Sequence, residues 1–189
     1  MSRPYRVVVI HIHVAMNSKQ IADILNRYPR IKNCFIGVFS SDMLVDPAAA
    51  KSSYPYCFVA NTAASSKSGE HWVAFFVLDP TTVEYFDSYG LEPSVKSFKK
   101  FVSHFPNFTH NSTPLQGYST MCGQYCVLFL IARQYGHSLE SIVKRFHAGV
   151  RPLIRDISVC SIVNNLAGLK LPLIDTDLLP GIPQGLHIR

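Results

Sequence analysis

The chain has 189 residues, of which 48% are hydrophobic and 12% aromatic, enough for one domain with a substantial core and too apolar for a disordered segment. Its net charge of +6, from 18 Lys and Arg against 12 Asp and Glu, suits a polyanionic partner or simply solvated faces. No arginine-rich run or zinc-finger spacing selects between these. Five cysteines, an odd number without framework spacing, point to free thiols in a reducing compartment. No apolar run approaches the roughly 20 residues of a membrane span, and the N-terminus lacks a small-residue cleavage site, so a soluble intracellular protein is expected. In such a compartment the Asn-x-Ser/Thr triplets at Asn107 and Asn111 carry no glycan.

Taken in order, Val7 to Val14 is rich in β-branched residues and puts Val8, Ile10, Ile12 and Val14 on one face, which predicts a strand. His11 and His13 share its other face; with no third ligand near in sequence, no metal site is expected. Asn17 opens a helix with Gln20 in capping-box position, and Ile21, Ile24, Leu25 and Tyr28 form its inner face before Pro29 stops it. Cys34 to Phe39 reads as a short strand with a structural cysteine, and Asp46 to Tyr56 as a loop.

Three short aromatic or β-branched strands follow: Tyr56 to Asn61, Trp72 to Leu78 and Val83 to Asp87. The turn Asp79-Pro80-Thr81-Thr82 makes a hairpin of the last two. The polar loop Thr62 to Glu70 delivers His71 to the start of a strand. Ser94 is expected to open a helix with Val95, Phe98, Val102 and Phe105 inward, and Phe108 to Pro114 to be extended. In Gln116 to Gly136, Ser119 or Thr120 serves as N-cap, Cys126 to Ala132 is apolar on every side, and Gly136 fits a left-handed C-terminal cap. Ser138 caps another helix, and Asp156 is expected to start a third that ends at Gly168. The fold class is α+β: a small, mostly antiparallel sheet packed by helices, one of them long and buried. Residues 1–189 form a single domain, with 1–16 as an N-terminal strand or arm and 170–189 as an irregular tail.

Chemistry is sought at the start of the buried helix. Cys122 lies in its first turn, where unpaired N–H groups and the helix dipole favour an anion, so its thiol should ionise more easily than a free one. A cysteine nucleophile needs a base, and His71 sits at a strand edge beside a Gly-bearing loop. The hairpin register brings Asp87, at the end of the partner strand, next to His71, where it can orient the ring. Gln116, across a turn containing Gly117, can set its side-chain amide beside the Cys122 N–H as an oxyanion donor.

This order of His71, Asp87, Gln116 and Cys122 resembles the clan of cysteine proteases that holds the adenovirus protease (adenain) and the proteases specific for SUMO and related ubiquitin-like proteins. Asn61-Thr62-Ala63 with Gly69-Glu70-His71-Trp72, Tyr85-Phe86-Asp87-Ser88-Tyr89-Gly90, and Gln116-Gly117 through Cys122-Gly123 to Cys126 are its motifs, nearest to the adenovirus type. The resemblance covers about Asn17 to Leu166 and implies Cys122 as nucleophile, His71 as general base, Asp87 as its orienter and Gln116 as oxyanion donor. Asp87 stands where adenovirus enzymes usually have Glu, the spacer from Gln116 to Cys122 is one residue shorter, and the two ends have no counterpart.

The implied activity is a metal-independent endopeptidase, a monomer, cutting near glycine in precursors of virion proteins, in the host nucleus or virion. Its source would be a related virus or a virus-like DNA transposon. An activating peptide strand and non-specific DNA are the implied cofactors, and Val7 to Val14 could supply the peptide's strand in cis. The alternatives are a processing protease for a ubiquitin-like modifier, disfavoured because Trp72 is the only tryptophan, and a non-catalytic DNA-associated or capsid scaffold.

Overall fold

A computed structural model describes residues 15–47, 54–149 and 151–168. The strand expected at Val7 to Val14, with His11 and His13, and the tail from Lys170 lie outside the described residues. The elements run α1 (Ser18–Arg27), α2 (Pro29–Lys32), β1 (Phe35–Phe39), β2 (Tyr56–Asn61), β3 (Trp72–Asp79), β4 (Thr82–Phe86), α3 (Lys96–Val102), β5 (Asn107–His110), α4 (Cys122–Gln134), α5 (Leu139–His147) and α6 (Pro152–Leu166).

The strands form one sheet in sequence order, β1 to β5. Its centre, β2–β3–β4, is antiparallel as the hairpin pattern requires, with Ala74 opposite Phe86 and Val77 opposite Val83. The two outer strands are parallel to their neighbours, β1 to β2 and β4 to β5, each across a longer connection. The Asp79 side chain closes the hairpin turn by accepting from the Thr81 N–H at 2.7 Å.

Period-2 alternation sends the central strands' side chains to two separate cores, which is why these strands read as continuous apolar runs. Cys57, Val59, Ala74, Phe76 and Phe86 pack with α1, α4, α5 and α6 on one face. On the other face Phe58, Phe75 and Tyr85 meet Phe98, Phe101 and Phe105 of α3 and the turn after it. That second core is largely aromatic: Phe58 and Phe75 stack with centroids 4.6 Å apart, and Phe101 meets each of them edge-on at 5.2 Å. Such pairs add to the burial of their area.

The structure corrects several expected helix starts. Pro29 ends α1 but also occupies the first position of α2, where its missing N–H is no loss. The N-cap of α3 is Val95 rather than Ser94, and that of α4 is Met121 rather than Ser119 or Thr120; neither helix has a side-chain cap. Asp156 does not begin α6, which starts at Pro152, and its carboxylate is buried inside the fold. The capping box of Asn17 and Gln20, the Ser138 cap and the left-handed Gly136 and Gly168 are found where the sequence puts them. The extended run after Phe108 includes a paired strand, β5.

Candidate active site

The β3–β4 hairpin presents His71 immediately before β3 and Asp87 immediately after β4. The His71 Nε2 lies 2.9 Å from Asp87 Oδ1. His71 and Cys122 line the same cleft, and the charge of Cys122 acts on the imidazole. Tyr89 stacks on the ring with centroids 4.9 Å apart, and its backbone N–H donates to the same Asp87 oxygen at 2.8 Å. The imidazole is therefore held in plane from two sides. Burial pulls its pKa down, but the hydrogen bonds and charges of Asp87 and Cys122 prevail and push it up to about 9.

Asp87 is fixed in turn by Asn111. The Asn111 side chain accepts from the Asp87 N–H at 2.9 Å and donates to the Asp87 carbonyl at 2.6 Å, extending the β4–β5 ladder by one side-chain step. The chain then turns at Gly90, where φ is +71° and an added Cβ would lie 2.7 Å from the Thr113 carbonyl carbon, so only glycine fits. Asn111 appeared in the sequence only as a glycosylation triplet.

Cys122 occupies the first position of α4, and the helix start carries neither a side-chain cap nor an acidic residue in its first turn. The backbone N–H groups of that first turn are thus left without a side-chain acceptor beside the thiol. One turn on, Cys126 is fully buried, and burial, with the charges of Cys122 and Asp87, keeps its thiol well above the ordinary range and so protonated. The remaining described cysteines, Cys34, Cys57 and Cys160, are buried and form no disulfide.

Gln116 reaches the same place from the preceding loop. Its Nε2 donates to the Ser119 carbonyl at 2.5 Å and to the Tyr89 hydroxyl at 3.2 Å, while the Ser88 hydroxyl donates to its Oε1 at 2.7 Å. A carbonyl can only accept, so Ser119 dictates which end of the amide faces it. The structure thus brings together all of the expected site residues, His71, Asp87, Gln116 and Cys122.

His71, Gln116 and Cys122 line one cleft of about 740 Å³, with Trp72, Tyr89 and the chain around Met16 completing its walls. The Trp72 indole N–H is tied to the Met16 carbonyl at 2.8 Å, and Gly123 lies beneath it, where a Cβ would come within 3.3 Å of the ring. Asn61 shapes the far wall: its Oδ1 accepts from the Ala63 and Glu70 N–H groups at 2.9 and 3.0 Å, closing the loop that leads to His71. Among the described residues no group of three or more His, Cys, Asp or Glu side chains could hold a metal ion. Among them also, no helix is long and apolar enough to cross a membrane.

No protein-family model matches the chain, and no curated protein matches it. Solved structures do resemble it. The central domain of the uncharacterized Lpg1148 protein from Legionella pneumophila superposes with a TM-score of 0.52 at 14% identity, over 82% of this chain and 99% of that one. The ASFV pS273R protease gives a TM-score of 0.48 at 16% identity, over 83% of this chain and 68% of that one. The C-terminal Ulp1 protease domain, solved in complex with Smt3, the yeast ortholog of SUMO, gives 0.40 at 12% identity, over 82% and 78%. At these identities the likeness is one of fold, and the Lpg1148 domain shares the α+β architecture described above.

Proposed function

We propose that the chain is a cysteine endopeptidase with Cys122 as nucleophile, His71 as acid–base, Asp87 as the group that orients His71, and Gln116 as oxyanion donor. The observation that carries this reading is the His71 imidazole, held by Asp87 at 2.9 Å and lining one cleft with a cysteine at an uncapped helix start. With its proton retained to about pH 9, His71 can pair as imidazolium with a Cys122 thiolate.

The thiolate attacks the scissile carbonyl carbon, forming a C–S bond as the carbonyl π electrons move to oxygen. The Gln116 side chain and the Cys122 N–H receive that oxyanion, the long contact to the Tyr89 hydroxyl being the one readily exchanged for it. Collapse breaks the C–N bond, and His71 gives its proton to the departing amine. Neutral His71 then takes a proton from water, which attacks the thioester; the C–S bond breaks, and thiolate and imidazolium return.

The substrate assigned is an extended, glycine-containing segment of a precursor protein, as the sequence resemblance implies. The resemblance implies a narrow cleft for a stretch with little side-chain bulk, and Trp72 and Cys122 both line the cleft here. The deciding experiment is hydrolysis of a fluorogenic Gly-Gly peptide and of a ubiquitin-like fusion by the wild type and Cys122→Ala, with iodoacetamide labelling of the thiol alongside. Labelling of Cys122 without hydrolysis of either substrate would refute the protease reading, and turnover of the fusion alone would assign the site to ubiquitin-like modifiers. Non-specific DNA binding, suited to the +6 charge, is expected to weaken steeply with salt as counterions are released; binding indifferent to salt would remove it.

A further inference from the structure

The loop that carries Gln116 is held from behind by the first turns of α6. Leu115 and Gln116 donate their N–H groups to the Ser88 carbonyl at 2.8 and 2.9 Å on one side. On the other, Arg155 Nη1 donates to the Leu115 carbonyl at 2.6 Å, and the Gly117 N–H points at the Asp156 carboxylate, 3.1 Å from Oδ2. The approach is close enough that a Cβ on Gly117 would lie 3.1 Å from both Asp156 Oδ2 and Pro152 Cβ. Asp156 has a second donor, the Tyr125 hydroxyl at 2.8 Å, and that hydroxyl also lies 3.3 Å from the Leu115 carbonyl. Burial, then the charge of Asp156, drives the Tyr125 phenol well up, so it remains a donor.

Tyr125 lies on α4 within a turn of Cys122, while Gly117 adjoins Gln116. The carboxylate of Asp156, only 1% exposed, therefore ties the nucleophile's helix to the oxyanion loop through a residue within one turn of Cys122 and the residue adjoining Gln116. A buried carboxylate is costly unless hydrogen-bonded, so its position is set by these donors and sets theirs. An oxyanion site made from a helix-start N–H and a side chain on a different segment needs that separation fixed before substrate arrives.

Resting on the protease reading, we infer that Asp156 is a positioning residue for the oxyanion site, with Tyr125 as its support and Arg155 holding the same loop at Leu115. It touches neither substrate nor Cys122. It governs the step in which charge develops on the carbonyl oxygen and leaves the reactivity of the thiol alone.

Two rates on the same protein separate these. Alkylation of Cys122 by iodoacetamide forms no oxyanion, whereas hydrolysis of the Gly-Gly peptide does. Asp156→Asn is expected to alkylate within about twofold of the wild type while kcat falls by about tenfold or more with KM little changed, since a displacement of ~1 Å can cost up to ~100-fold. The double variant Gln116→Ala/Asp156→Asn should be no slower than Gln116→Ala alone, because the positioning residue has nothing left to position. Tyr125→Phe keeps the ring and removes one support, so it should show the same split at about threefold; it decides the matter if Asp156→Asn does not fold. Alkylation and hydrolysis falling together, unchanged hydrolysis in Asp156→Asn, or additive losses in the double variant would each overturn the inference while leaving the protease reading intact. A wild type that alkylates but hydrolyses neither substrate would overturn both.

Discussion

Two consecutive helices of this chain start in opposite ways. The first turn of α5 is sealed: the Ser138 hydroxyl accepts from the Ser141 N–H at 3.1 Å, Glu140 sits on the positive end of the dipole, and only Leu139 and Ile142 are buried, as in an ordinary surface helix. By contrast α4 is buried along most of its length, yet begins at Met121 with no side-chain cap and no acid, and puts a cysteine first, on the wall of the cleft. Ser119 is close by but contributes its carbonyl to Gln116 and no cap to the helix. The difference is between a terminus capped within the chain and one without a cap, where the proposed mechanism places the oxyanion. A helix so thoroughly anchored by its core can forgo a cap that typically contributes about 1 kcal/mol.

That contrast is broken most severely at the nucleophile. Cys122→Ala should lose hydrolysis by about 10⁴-fold or more and lose iodoacetamide labelling altogether. Substituting Cys57, Cys126 or Cys160 by Ala should leave labelling of Cys122 in place. Label that persists in Cys122→Ala and vanishes in Cys126→Ala would transfer the role one turn along the helix. Next comes Gln116→Ala, expected to lower kcat by about 100-fold with alkylation nearly unchanged, since the amide acts only once the oxyanion forms.

The pH profile sharpens the comparison further, because the open helix start is useful only while His71 stays charged beside it. Hydrolysis should fall as pH rises through about 9, the value to which Asp87 and Cys122 raise His71 against its burial, while alkylation, which needs only the thiolate, should not fall. In Asp87→Asn the alkaline limb should move down toward the ordinary histidine value of 6.5. The linked effect on stability has the same sign: a raised histidine stabilises the fold fully below about pH 6.5, and that contribution is lost as pH rises through about 9. Urea denaturation of the wild type and Asp87→Asn across this window should therefore converge at the alkaline end. A gap that widens with pH would contradict the assignment of the charge to His71.

Much of this was legible because it is local. Alternation and a short turn define a hairpin, and a hairpin's register places its two ends together, so His71 and Asp87 could be paired before any contact was seen. The capping box at Asn17 is equally short-range. What escaped was long-range or chemically two-faced. Asp156 is a common N-cap residue near the start of a helical pattern, yet Pro152 starts that helix and the carboxylate serves a loop distant in sequence. Asn111 mimics a backbone step, a role indistinguishable in sequence from an ordinary turn. β5 is short and half polar, so its pairing with β4 depends on the neighbour and not on its own pattern.

The smallest expected effect belongs to the sealed terminus, and it tests the comparison from the other side. Ser138→Ala removes the acceptor for the Ser141 N–H at the start of α5, away from the residues that line the cleft. Losing such a cap costs about 1 kcal/mol, because a first-turn donor must find water where it had an oxygen. For a domain of this size that corresponds to a fall in Tm of about 2–4 °C. Both α4 and its cleft residues are untouched, so alkylation, kcat and KM should stay at wild-type values. Scanning calorimetry and the hydrolysis assay on the same preparation measure the two halves. If Ser138→Ala lost activity without losing stability, the sealed start of α5 would not be purely structural, and its contrast with the start of α4 would fail.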